Sequence, residues 1–171
     1  MSDGFLAYKL TAAHKAQIAD ALEQIGVAPL PGTEQVRDHI TIAYGFSREL
    51  SHMVSEEVVI TGVLIDGAGL MTLTATVDGN AKRRYDGAFY HVTDYVNRGT
   101  ELPAAYGEPA GTKFEPKHSG RLLQLHHESG YGRYIPFAKP LELGYLDSVF
   151  YPPTVDGIRP PPVRGGQPVL D

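Results

Sequence analysis

The chain contains no cysteine and no tryptophan. Without thiols it has no disulfide framework, no thiolate metal site and no cysteine nucleophile. Long apolar runs are missing too. Nothing approaches the ~18–20 residues of a membrane-spanning helix. The first ten residues, "MSDGFLAYKL", lack the basic stretch and following apolar stretch of a signal peptide. Basic runs are also absent, and the formal net charge is −5. A duplex or long strand is gripped by many Lys/Arg–phosphate contacts, which this chain does not cluster. These absences predict a soluble, cytoplasmic protein with no membrane partner, and they favour a small substrate over a long nucleic acid.

What is present is a globular composition, 42% hydrophobic and 20% charged over 171 residues. That suits one domain with its own core. The hydrophobic pattern predicts a strand over 4–10 and an amphipathic helix over 11–26. In that helix Thr11 is the N-cap, Ile18, Leu22 and Ile25 share a face, and Gly26 ends it. "PLPG" (29–32) reads as a loop and 37–44 as a strand. Residues 47–57 allow a short helix, with Leu50, Met53 and Val54 on one face. Segments 58–66 and 69–78 read as a hairpin, 79–87 as a polar connection and 88–96 as a strand. Segments 120–129 and 134–146 suggest further strand and loop. The tail, 152–171, holds six prolines in twenty residues, so it is expected to lie extended on the body or loose. The expected fold is α+β, with helices on antiparallel sheet, as a single domain over 1–151 followed by the Pro-rich tail.

Two strands carry a repeated pattern. "RDHITIAYGF" (37–46) has His39 and Thr41, and "AFYHVTDYV" (88–96) has His91 and Thr93. Side chains alternate along a strand. Each His/Thr pair therefore shares a face, with Ile40, Ile42 and Val92 on the opposite faces. In a chain with seven histidines, two such triplets inside apolar strand patterns arise by chance in about one sequence in a hundred. If the apolar faces go to the core, two imidazoles and two hydroxyls surround one space. That set suits a phosphodiester. One neutral histidine accepts a proton from the nucleophile and one protonated histidine gives a proton to the leaving oxygen. The threonine hydroxyls donate to the non-bridging oxygens. No metal or cofactor is needed. Which histidine is acid and which is base is open at this level.

The paired motifs "HIT" (39–41) and "HVT" (91–93) resemble those of the 2H phosphoesterase superfamily. That family includes RNA 2',3'-cyclic phosphodiesterases, the cyclic phosphodiesterase domain of tRNA ligases, and phage enzymes that destroy cyclic-oligonucleotide defence signals. The resemblance covers residues 4–110. It implies a bilobal α+β fold with the motifs on central strands of opposite lobes. The implied activity is a phosphodiesterase of a small nucleotide, either a cyclic di- or oligonucleotide or a 2',3'-cyclic phosphate such as an RNA end. His39, Thr41, His91 and Thr93 are the catalytic candidates. A binding module of the same fold without turnover is the alternative.

Tyr8, Tyr44 and Tyr106 fall near the motif strands or their loops and are the candidates to stack on a base, Tyr8 foremost. Arg98 and Lys113 could attract phosphate. A zinc site built from His39, His91, His126 and His127 is the main rival, but the chain has no His-x-His or His-Glu-x-x-His spacing. Read as a strand, 120–129 would turn His126 and His127 to opposite sides. His14 and His52 read as surface helix positions and His118 as a loop residue.

Overall fold

Thr11 starts the first helix as expected, with one substitution of type. Its hydroxyl accepts from the His14 backbone N–H at 3.2 Å, and His14 Nδ1 accepts from the Thr11 N–H at 3.1 Å. A histidine thus completes the reciprocal cap where Glu or Gln is usual. In this computed structural model residues 4–46 and 54–169 are described, with only the backbone of Gly45 and Phe46. Helix α1 runs Ala12–Gln24 and buries Ile18 and Leu22. Gly26, at φ 71°, lets Val27 N–H reach back to the Leu22 carbonyl and close the last turn.

The strands are β1 (Gly4–Lys9), β2 (Glu34–Gln35), β3 (His39–Phe46), β4 (Ser55–Ile65), β5 (Leu70–Val77), β6 (His91–Val96), β7 (Arg133–Tyr151), β8 (Val163–Arg164) and β9 (Gln167–Pro168). Every ladder among them is antiparallel. With two α-helices among the described residues, the class is α+β. No helix there is long and apolar enough to cross a membrane. The strand order is β2-β6-β5-β4-β7-β1-β3. Strand β7 joins two groups of strands. Its residues 133–147 pair with β4, and 148–151 pair with β1. Pro136 and Pro140 sit in the first stretch, where one edge of β7 has no strand neighbour among the described residues and a missing N–H is harmless. Opposite Pro136, β4 bulges at Gly62. A Cβ there would lie 2.7 Å from the Ile135 carbonyl oxygen, so only glycine permits the approach.

Three sequence expectations need correction. Residues 119–129 form helix α2 (Ser119–Ser129), not a strand. Ser119, Leu122 and Leu123 are buried at three- and four-residue spacing, and Gly130 at φ 73° ends the helix. The helix expected over 47–57 fails at its C-terminal end, where 55–57 pair with β7; residues 47–53, including His52, lie outside the described residues. The segment 134–146 is continuous strand within β7. The tail makes a turn at Val155–Ile158, and then β8 and β9 fold back, with Val163 beside Phe150 of β7.

The core has two main parts. One packs α1 against Tyr8, Ile40, Val58, Leu73, Val92 and Phe137. The other lies under α2, around Leu64, Leu70, Tyr106 and Phe114. Ile40, Ile42 and Val92 all join the α1 core. Strand alternation therefore turns both His/Thr pairs away from α1.

Candidate active site

The motif strands are not sheet neighbours. β3 is at one end of the strand order and β6 is next to the other. They meet because the segment that leads into β3, from β2 to Arg37, runs along β6. Val36 N–H donates to the Asp94 carbonyl at 2.8 Å and Arg37 N–H to the Thr93 carbonyl at 2.9 Å. The chain then bends at Arg37, in the left-handed region at φ 39°, and enters β3 beside β1. A non-glycine residue there is strained by ~1–2 kcal/mol. The Arg37 guanidinium offsets this with two bonds to the Asp94 carboxylate, Nε–Oδ1 2.6 Å and Nη2–Oδ2 3.2 Å. Both side chains are buried. This ion pair joins the residue two before His39 to the residue after Thr93.

The result is a cavity of about 670 Å³ whose wall includes His39, Thr41, His91 and Thr93 together. His39 is held on three sides. Its Nδ1 lies 3.0 Å from Asp38 Oδ2, and its ring packs on Phe5 at 4.9 Å and Tyr151 at 5.0 Å. An ionised carboxylate only accepts, so Nδ1 carries the proton and faces Asp38. Tyr151 also donates its hydroxyl to Asp38 Oδ2, at 2.8 Å. Burial alone would raise the Asp38 carboxyl. The bonds from His39 and Tyr151, with the charges of His39 and Lys9, overcome it and hold the group at about 2.

His91 is tuned the other way. Its Nδ1 donates to the Phe89 carbonyl at 2.9 Å, which leaves Nε2 with a lone pair. Burial pushes the imidazole down to about 4. The Phe89 bond opposes this, and the charges of Arg83 and His39 add to it. His91 is therefore neutral near pH 7. The N-terminal turn of α2 lies against it, since a Cβ on Gly120 would be 3.9 Å from His91 Cε1.

The two threonines also differ. Thr41 is buried, and its hydroxyl has no hydrogen-bond partner among the described residues. The Thr93 hydroxyl lies 3.2 Å from the Pro116 carbonyl and 2.7 Å from Ser119 Oγ, and Thr72 donates to that same serine oxygen at 3.0 Å.

Four cations line the wall: Arg83, Arg98, Lys117 and Arg159. Among the described residues, Asp38 is the one acidic residue in the wall. Arg83 is buried, bonds Asp86 through Nε (2.6 Å) and Nη2 (2.8 Å), and lies 5.0 Å over the Tyr44 ring. Arg98 pairs with Glu34 and Lys117 with Glu115. Arg159 comes from the tail and sits 4.8 Å over the Phe5 ring. None of the acidic partners Asp86, Glu34 and Glu115 lines the cavity, so an acidic protein presents a basic surface here. No group of three or more His, Cys, Asp or Glu among the described residues is arranged to hold a metal ion.

Of the three candidate tyrosines only Tyr44 lines the cavity. Tyr8 is on the expected strand but on its core face; it is fully buried, with its hydroxyl on Glu56. Phe5, on the alternate face, lines the cavity instead. Tyr106 is buried beneath α2 against Phe114 and Tyr131 and donates to Asp66 at 2.7 Å. Arg98 lines the cavity, whereas Lys113 pairs with Glu101 away from it. His118 is not a solvated loop residue. It is buried, its Nδ1 accepts from the Glu115 N–H at 3.0 Å, and its Nε2 has no partner among the described residues. Sequence reasoning missed Asp38, Arg37 and Asp94, although all three adjoin the motifs in "RDHIT" and "HVTD". It also missed Arg83, which looked like one charge among several in a polar connection. No protein-family model, curated protein or solved structure matches this chain.

Proposed function

We propose that the protein is a phosphodiesterase of the 2H type acting on a small nucleotide, and that His39 and His91 form its acid–base pair. The observation that carries this reading is the convergence of both His-x-Thr pairs on one cation-lined cavity in a chain of net charge −5. In this reading β1 and β3 belong to one lobe, β4–β6 to the other, and β7 is shared.

In this reading the two histidines take different roles. Neutral His91 offers its Nε2 lone pair as the general base. It takes the proton of a water or of a ribose 2'-hydroxyl as that oxygen bonds to phosphorus. His39, oriented by its Nδ1–H on the Asp38 carboxylate, gives its Nε2 proton to the departing oxygen. Exchange with water then restores both protonation states. Thr41 donates to a non-bridging oxygen, and Arg83 adds positive charge where negative charge builds. For a cyclic oligonucleotide the 2'-hydroxyl attacks its own 3'-linkage, yielding a 2',3'-cyclic phosphate and a 5'-hydroxyl. For a 2',3'-cyclic end, water attacks and one ribose oxygen leaves. The cation-rich wall favours a substrate with more than one phosphate.

The runner-up, a nucleotide-binding module without turnover, has one observation on its side. The Thr93 hydroxyl is already engaged by Pro116 and Ser119 and must reorient to serve a phosphate. Incubation with cyclic di- and trinucleotides and with 2',3'-cyclic mononucleotides, with products identified by mass spectrometry, separates the two. His39→Ala and His91→Ala should each lower the rate by ~10²–10⁴. Tight binding of the panel with no product from any member would move the case to the binding module.

A further inference from the structure

A second cavity, of about 230 Å³, lies beside the first. Helix α2 and the segment before β6 both run past the two. Gly120 and Ala88 line the first; Leu123, His127 and Phe89 line the second. Phe89 and His127 pair at 5.2 Å between ring centroids. The Phe89 carbonyl is also the group that fixes His91.

The second cavity has a different chemistry from the first. Among the described residues, no Asp, Glu, Lys or Arg lines it. It is lined by apolar Leu64, Ala75 and Leu123 and by the rings of Phe89, His126, His127 and Tyr134. One edge is polar: Thr61 and Thr74 share a hydrogen bond of 2.6 Å, and Thr74 lies 3.4 Å from the Tyr134 hydroxyl. His126 Nδ1 donates to the Tyr131 carbonyl at 2.9 Å, so its Nε2 is an acceptor. Sites for drug-sized ligands span ~300–1,000 Å³, which makes this one fit for a single one- or two-ring system. A phosphate or carboxylate would meet no countercharge.

We propose that this cavity is a binding site for an uncharged planar aromatic ring with one hydrogen-bonding edge, seated among the aromatic side chains with its polar edge toward Thr61, Thr74 and His126 Nε2. The ring is either a free heterocycle or the base of a nucleotide whose phosphate occupies the first cavity. The site does not depend on turnover at the first.

The test follows the imidazole signals of His126 and His127 by NMR during titration with adenine, indole and 5'-AMP. Adenine and indole should shift both signals saturably. Ala81→Trp fills the cavity from an exposed lining position, and Thr76→Trp fills it from a half-buried one. Each should weaken binding about tenfold or more, with folding checked by thermal melting. His91→Ala should leave it within about twofold, since the site is separate. If AMP binds more tightly than adenine and also shifts His39 and His91, the ring belongs to a nucleotide spanning both cavities. Equal binding identifies a free heterocycle. The site is refuted if no probe moves the His126 and His127 signals, if binding persists in both folded tryptophan variants, or if the shifts are confined to His39 and His91. A protein that hydrolyses no phosphodiester yet gives the expected shifts would lose the catalytic reading and keep this one.

Discussion

His39 and His91 have the same residue two places on and opposite surroundings. A carboxylate faces the first and a carbonyl the second, and burial keeps the second neutral. In the proposed mechanism the rate should fall at low pH along an acid limb near 4 set by His91. Asp38→Asn removes the charge behind His39. It should lower kcat about tenfold or more with little change in KM and leave the acid limb in place; an unchanged kcat would deny Asp38 its positioning role. His91 also links pH to stability. Its folded value lies below the ordinary 6.5, so between about 4 and 6.5 the unfolded chain binds the proton and the folded chain does not. Stability should thus fall as pH drops through that window, by at most about 3 kcal/mol. Urea titrations at pH 7 and 4.5 should show a larger loss for wild type than for His91→Gln. Asp38, already held at about 2, loses its own contribution only below its unfolded value of 3.8. At this scale the motif residues were legible because alternation fixes which side chains share a face. Tyr8 was not, because proximity of its strand says nothing about which face it takes.

At the scale of elements, the Arg37–Asp94 pair decides whether β3 and β6 present their residues to one space. Asp94→Ala would leave a buried guanidinium unpaired and should cost about 3–5 kcal/mol. Replacing both partners with apolar residues, Arg37→Met with Asp94→Leu, should recover most of that loss in urea denaturation. A single mutant as stable as wild type would mean the pair is incidental to the junction. Helix α1 was legible in full, since cap, apolar stripe and terminal glycine all agree. Helix α2 was not. Its leucine cluster suits a buried strand or a buried helix over so few residues, and the contacts under Leu64 and Phe114 decide it. Prolines in β7 hid a strand that tolerates them along its unpaired edge.

Over the whole molecule, an acidic chain gathers four cations at one cavity. The KM for an anionic substrate should rise steeply with ionic strength, and Lys117→Ala should raise KM more than it lowers kcat. A salt-independent KM would argue against electrostatic capture. The proposed proton transfers need no Lewis acid, so turnover should survive excess EDTA; loss on chelation with recovery on zinc or manganese would transfer the case to a metal enzyme. The antiparallel α+β class was legible from element order. The meeting of β3 with β6 was not, because strand order in space depends on where β7 inserts. That insertion bears on how the protein is made. The N-terminal strand β1 has its partner at residues 148–151, nearly the whole chain away. During synthesis β1, α1 and β3 can form early, and so can the β4–β6 meander, but the sheet that runs through both is incomplete until β7 leaves the ribosome. Such non-local closure is slow. Protease resistance and activity should therefore appear in one late step, and a chain cut short in the loop before Arg133 should have neither, even though it carries all four motif residues.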